Sequence, residues 1–304
     1  MKKMINKSHV EGILYESTLE AKVAGDTAKN PGMQYVNGKI SVMVDTDNII
    51  SVDIYEGALT SKGAQNSKFK TAMELVSAPT VVKNGADAAI KVRIDSALSL
   101  NDWYRPDGEL ISSLRNFGGF IHIVSDNINP SATFDVDMLI TSTTDEMQKN
   151  EDGDMEPTGA LVLNGIIFDF ANKAMPVKFV VENAGGVKYF QDLDQNTFTK
   201  VWGNMLTQTT TTTKTEESAF GDDKTVEYTN TRRKFVVTGT NKEPYAFGDE
   251  GVLTVAEVQE ALAAREVMLA SLKASTEARA KTSGAATTGA APVAKGAAGV
   301  TFNF

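Results

Sequence analysis

Short runs in which apolar and polar side chains alternate, or in which β-branched residues cluster, dominate the chain. Val10–Tyr15, Lys39–Val44 and Ile49–Tyr55 read as strands, bounded by Gly, Asn, Asp and Pro. Asn30-Pro31-Gly32 and Asn37-Gly38 supply turn dipeptides between them. Phe69, Met73 and Val76 recur near helical spacing, which predicts a short helix over Lys68–Val76 before strands resume at Ala89–Ile94 and Gly119–Val124. The second half offers Leu163–Asp169, Val177–Val181, Thr197–Gly203 and Val226–Gly239 as strands. The tract Thr209–Thr213 suits either an exposed strand or a loop. Thr254-Val255-Ala256-Glu257 has the form of a capping box. It opens a helix expected to run to about Lys281, with Val255, Val258, Leu262, Leu269 and Leu272 along one side. Ser283–Val300 is almost wholly Ala, Gly, Thr and Pro and buries too little to offset its ordering entropy. A flexible tail is expected there, ending in the apolar tip Val300–Phe304, whose Phe302 and Phe304 are candidate partner-binding residues.

Three strands, a helix and two strands is the inventory of an OB-fold barrel. An internal match points to a second copy: Val10-Glu11-Gly12-Ile13-Leu14-Tyr15-Glu16 and Leu163-Asn164-Gly165-Ile166-Ile167-Phe168-Asp169 share apolar, polar, Gly, aliphatic, aromatic and acidic positions in order. A Gly inside a first strand suits the bulge or bend with which a small barrel turns its corner. The expected architecture is therefore mainly β: two tandem OB-like barrels over 1–144 and 158–250, an acidic linker over 145–157, a helix over 251–281 and a tail over 282–304.

Composition supports this and narrows the function. A chain of 304 residues, 41% hydrophobic, suits about two domains with real cores. With no cysteine it has neither disulfides nor thiolate metal sites. The first dozen residues lack the apolar stretch of a signal peptide, and no segment approaches the ~18 apolar residues of a membrane span. A cytoplasmic location with no membrane association is expected. The net charge of −9 opposes a nucleic-acid partner at first sight. More than half of it, however, sits in Asp145, Glu146, Glu151, Asp152, Asp154 and Glu156, set against a single Lys149.

Catalytic constellations are scarce. The two histidines, His9 and His122, exclude a histidine-rich metal centre. No Walker A loop, nucleophile elbow or zincin motif occurs. Asp135 with Asp137, or Asp192 with Asp194, have the spacing of a solvated strand or turn more than of a cation site. The expectation is a non-enzyme with no cofactor and no metal. What remains are aromatics interleaved with cations, the components of a single-strand groove in which bases stack on rings while Lys and Arg follow phosphates. The candidates are Lys91, Arg93, Trp103, Tyr104, Arg105, Arg115, Phe117 and Phe120 in the first half. Tyr189, Phe190, Lys200, Trp202, Arg232 and Arg233 follow in the second. For any single ring, core packing is the commoner role. Trp103 and Tyr104 stand out because Asn101, Asp102, Pro106, Asp107 and Gly108 mark a surface loop.

The segments His9–Tyr15, Asn37–Val42, Leu100–Tyr104 and Asn116–Phe120 resemble those of bacteriophage single-stranded DNA-binding proteins of the OB-fold type. The resemblance implies sequence-tolerant binding of single-stranded DNA in phage replication or recombination, with replication or recombination proteins as partners of the C-terminal tip. A tether ending in Phe is similar to the plan of bacterial single-strand binding proteins, but Lys295 stands where those carry aspartates. The alternative is an acidic, β-rich phage virion protein. Self-association stays open on sequence grounds.

Overall fold

The computed structural model describes residues 4–125, 127–150, 154–216, 220 and 224–282. In chain order the elements are β1 (Asn6–Ser17), β2 (Glu20–Val23), β3 (Gln34–Met43), β4 (Ile49–Gly57), α1 (Ser67–Val76), α2 (Val81–Asn84), β5 (Lys91–Tyr104) and β6 (Leu110–Val124). They continue with β7 (Ser131–Lys149), β8 (Met155–Phe168), β9 (Ala174–Val181), α3 (Ala184–Gln191), β10 (Thr197–Glu216), β11 (Lys224–Thr240) and α4 (Val255–Thr282). The fold is mainly β with a C-terminal helix.

Among the described residues eleven strands form one sheet, yet its pairings make two circuits. In the first, β1 pairs β3, β3 pairs β4, β4 pairs β6 in parallel, β6 pairs β5 and β5 returns to β1. In the second, β7, β8, β9, β11 and β10 close in the same order, with the parallel pair at β9–β11. Each circuit follows the strand order of an OB-type barrel, with helix between its third and fourth strands. The first strand of each is bulged opposite the second, at Tyr15 in β1 and at Thr141 in β7. That extra residue adds the local bend a closed sheet needs.

The seven-residue sequence match does not mark this repetition. Val10–Glu16 lies on β1, the first strand of its circuit, whereas Leu163–Phe168 lies on β8, the second strand of the other. What the segments share is close backbone packing. A Cβ on Gly12 would stand 2.3 Å from the Met43 carbonyl oxygen, and one on Gly165 would stand 2.3 Å from that of Leu139. The acidic run is likewise no linker: its described residues belong to the ends of β7 and β8 and their turn, with Gln148 opposite Glu156 and Lys149 opposite Met155. Charges on an exposed hairpin read, in sequence, like charges on a tether. The chain instead crosses between circuits from Val124 to Ser131.

The circuits are not separately cored. β1 pairs β7 along Asn6–Glu11, and one apolar cluster runs from Val10, Ile40 and Leu98 through to Phe134, Phe179 and Phe235. Phe134 and Phe179 rings stand 4.8 Å apart. Asn48, buried in the β3–β4 turn, donates to the Met205 carbonyl (3.1 Å) and accepts from the Thr207 amide (2.8 Å), fastening one circuit to β10 of the other. α1 is capped by Asn66 and buries Ala72 and Leu75; Phe69 and Val76 pack against the core as expected, whereas Met73 is exposed. The Thr254 capping box forms reciprocally with Glu257. Val258 and Leu253 then join Phe168 and Phe198 in a second, smaller core under α4. The Thr209–Thr213 tract is strand, paired throughout with β11. The tail with Phe302 and Phe304 lies outside the described residues. Among those described, no helix is long and apolar enough to cross a membrane.

Candidate nucleic-acid interface

In β3 and β4 the even-numbered Val36, Ile40, Val42, Ile50, Val52 and Ile54 are buried. The two-residue period of a strand therefore turns Tyr35, Asn37, Lys39, Asp53 and Tyr55 outward. Cross-strand register places Lys39 opposite Asp53 and Asn37 opposite Tyr55, and the rings of Tyr35 and Tyr55 stand 5.4 Å apart. The parallel pairing of β4 with β6 sets Phe117 beside Asp53. Arg115 reaches the same carboxylate at 2.9 Å, while Lys39 approaches it at 3.9 Å. The Arg115 guanidinium also lies over the Phe117 ring, 5.0 Å from its centroid. Two cations thus share one carboxylate, leaving a local excess of positive charge. Arg115 Nε and Asn37 Oδ1 are buried and have no hydrogen-bond partner among the described residues.

This surface continues along the β5–β6 hairpin. Phe117 opposes Ala97, Arg115 opposes Ser99, Ser113 opposes Asn101 and Ile111 opposes Trp103. Directly opposed residues share a face, so Trp103, Arg115 and Phe117 stand on one side of the hairpin. Trp103 is 40% exposed. The other side is pinned: Asp102 accepts two hydrogen bonds of 2.9 Å from the Arg265 guanidinium of α4 and one of 2.6 Å from Ser112. α4 thereby fixes the arm that carries Trp103. Phe120 is exposed just past the Gly118-Gly119 kink, where both glycines have positive φ, with Lys68 Nζ 4.1 Å over its ring.

Several expected residues do not join this surface. Arg93 is held by Glu11 at 3.0 Å, a pairing that keeps the Glu11 carboxyl below its ordinary range. Lys200 is held by Asp135 at 2.8 Å, which raises its ammonium above the usual value. Each of these cations has its own carboxylate, whereas Arg115 and Lys39 share the one of Asp53. Phe190, on α3, is 2% exposed and belongs to the core, and Tyr189 is half-buried with its hydroxyl donating to the Asn241 carbonyl. Their apolar neighbours could have given this away: Val187 and Leu193 pack against the same core. Trp202 covers Gly239, where a Cβ would fall 2.5 Å from the indole, and stands opposite Asp135. Arg105 is engaged by Glu109 at 2.6 Å in the hairpin turn, and Tyr104 is half-buried opposite Leu110. Lys91 lies on β5 opposite Ile13 and Val124. Arg232 sits on β11 opposite Gln208, and its side chain lies outside the described residues. Arg233 is exposed, facing the gap between the circuits with Arg115. Tyr35, Lys39 and Tyr55 went unnoticed in sequence, although the alternation of Val36, Ile40 and Val42 already turned them outward.

Among the described residues no group of three or more His, Asp or Glu side chains is arranged to hold a metal ion. Asp135 and Asp137 flank Val136 on β7, but Lys200 is bound to the first and the Ile5 amide donates to the second at 2.6 Å. Burial pushes the Asp137 carboxyl above its ordinary value near 3.8.

No curated protein matches the chain. Among solved structures, it is similar to the wild-type single-stranded DNA binding protein from Thermus aquaticus, with a TM-score of 0.48 at 8% identity over 81% of this chain and 97% of that one. A deletion mutant of the same Thermus aquaticus protein gives a TM-score of 0.47 at 10% identity, over 82% and 100% of the two chains. The YorF family model matches residues 5–275, and the chain belongs to the YorF family.

Proposed function

We propose that the chain binds single-stranded DNA without strong sequence preference, on the outer surface of β3, β4 and β6 and along the β5–β6 arm. The observation that carries this reading is the juxtaposition of the Tyr35–Tyr55 ring pair and Phe117 with Lys39 and Arg115, which share the single carboxylate of Asp53. β3 and β4 are the second and third strands of their circuit, and the β5–β6 turn joins its fourth and fifth, the surfaces on which OB-type barrels take oligonucleotides. Every base has a π-face, so ring stacking is tolerant of sequence and contributes about 1–3 kcal/mol per base. Incoming phosphates compete with Asp53 for Lys39 and Arg115.

The test is tryptophan fluorescence during titration with oligothymidylate of about 30 nucleotides at low and high salt, using a Trp202→Phe variant so that Trp103 reports alone. Saturable quenching that weakens with salt is expected, because each neutralised phosphate of a single strand adds about 0.7 to the slope of log affinity against log salt. Absence of binding, by fluorescence and by an independent gel shift, overturns the reading.

A further inference from the structure

A second surface of suitable chemistry lies where the circuits meet. A cleft of about 670 Å³ opens between Leu100 and Ser112–Leu114 of the β5–β6 arm and the outer residues of β7, β8 and β9. Its size falls in the ~300–1,000 Å³ range of small-ligand sites. Lys178 and Arg233 line it, both exposed and neither paired with a carboxylate among the described residues. None of the residues lining the cleft is acidic. That absence stands out in a chain of net charge −9. Ser113, Ser142 and Asn164 present polar groups to the cleft, and Leu114 and Pro176 give it apolar walls.

The cleft opens on the opposite side of the β5–β6 arm from Trp103, Arg115 and Phe117, and the two sides meet at a narrow gap between the circuits. Arg233 also lines the narrow gap that Arg115 and Asn116 border from the first circuit. Arg115 stands beside Phe117 and Asp53 on one face of β6, and its neighbour Leu114, on the other face, lines the cleft. Cations therefore run from Lys39 through Arg115 to Arg233 and Lys178, crossing from one circuit to the other. We infer that a single strand bound on the first circuit continues into this cleft, with Arg233 and Lys178 taking phosphates and Leu114 and Pro176 walling a base between the circuits. This rests on the reading of the first surface as a DNA site. It assigns the cleft as an extension engaged only by longer strands.

The experiment compares the full chain with its Lys178→Gln, Arg233→Gln double variant for binding of oligothymidylates of about 8 and about 30 nucleotides, lengths chosen around the ~4–16 nucleotides that one OB-type barrel covers. Both side chains are exposed, and matching thermal unfolding verifies that the variant folds. Unchanged affinity for the short strand, with roughly tenfold weaker binding of the long strand and a salt slope lower by about 1.4, is the expected result. If the variant binds both lengths as the native chain does, the cleft is not on the path and the inference falls while the first surface stands. Equal weakening of both lengths overturns the extension, because the cleft would then be part of the primary site. If the native chain binds neither length, the functional reading itself fails.

Discussion

Replacing Arg265 by Ala tests whether α4 holds the arm that presents Trp103. Asp102 is 6% exposed at its side chain and Arg265 is 12% exposed, so the pair is removed from water. Both guanidinium ends are used, Nη1 on Oδ2 and Nη2 on Oδ1, each at 2.9 Å. In Arg265→Ala, Oδ1 keeps the Ser112 hydroxyl at 2.6 Å while Oδ2 loses its donor. Truncating one partner of a buried pair costs about 3–5 kcal/mol, because a charge is left uncompensated. The retained Ser112 bond puts the expected loss near the lower end, about 3 kcal/mol. With a denaturant slope of about 3 kcal/mol per molar, the urea midpoint falls by about 1 M. Removing both charges in Asp102→Leu, Arg265→Leu should recover most of that loss, since apolar replacement of a buried pair is often neutral. Acrylamide quenching should also show Trp103 more accessible in Arg265→Ala than in the native chain. A midpoint shift below about 0.3 M, or a double variant no better than the single one, would refute the argument.

Trp103→Ala should weaken single-strand binding about 5- to 150-fold, the equivalent of one stacked base, and Trp103→Phe should lose less; equilibrium titration decides. Phe190→Ala should cost about 3–5 kcal/mol of stability, measured in urea, while leaving DNA affinity unchanged, since the ring fills the core and does not reach the surface. Asp137→Asn tests the buried carboxyl. Its folded-state value is raised by burial, so the folded chain holds that proton more tightly than the unfolded one, and stability falls as pH rises through the window above about 3.8. The variant, which lacks the buried charge, should accordingly gain stability relative to the native chain at pH 7 and lose that advantage near pH 3, as read by thermal unfolding at the two pH values. Gly165→Ala should destabilise by at least about 1–3 kcal/mol, because its Cβ has nowhere to go against the Leu139 carbonyl and the Met138 methyl.

How much of this was legible in sequence depended on the range of the interaction concerned. Local periodicity located the strands of the first circuit and α1, and the Thr254–Glu257 spacing found the start of α4. Circuit closure was visible only as an inventory, because the parallel β4–β6 pair joins Val52 to Asn116, and no local pattern encodes that meeting. The seven-residue match misled for a related reason. Gly12 and Gly165 answer the same local demand, a neighbouring carbonyl too close for a Cβ, from strands of different rank. The site candidates divide in the same way. Cation–aromatic spacing found Arg115 and Phe117, which are two residues apart on one strand. It equally selected Arg93 and Lys200, whose carboxylate partners lie far away in sequence at Glu11 and Asp135. Lys39 and Tyr55 were passed over because their relation to Arg115 exists only across strands.

The same pairing shows how an acidic chain could take the anionic ligand proposed above. Where strands of the same circuit lie near one another, Arg93 meets Glu11, Lys200 meets Asp135, and Lys234 meets Glu146 and Glu182, and their charge is spent within the fold. The described acids of the former linker segment stand on the exposed β7–β8 hairpin. At physiological salt, charges more than about 8–10 Å away are largely screened. A strand approaching β3, β4 and β6 therefore responds to the cations it meets there and to few of the chain's surplus carboxylates. On the proposed reading, local register matters more than net charge for the encounter. Charge reversal on the β7–β8 hairpin, for example Asp145→Lys with Glu156→Lys, should accordingly raise single-strand affinity measurably at 20 mM salt and by less than twofold at 200 mM, where the Debye length falls to about 7 Å. A large gain that persists at high salt would place the hairpin in direct contact with the strand and move the site away from Arg115.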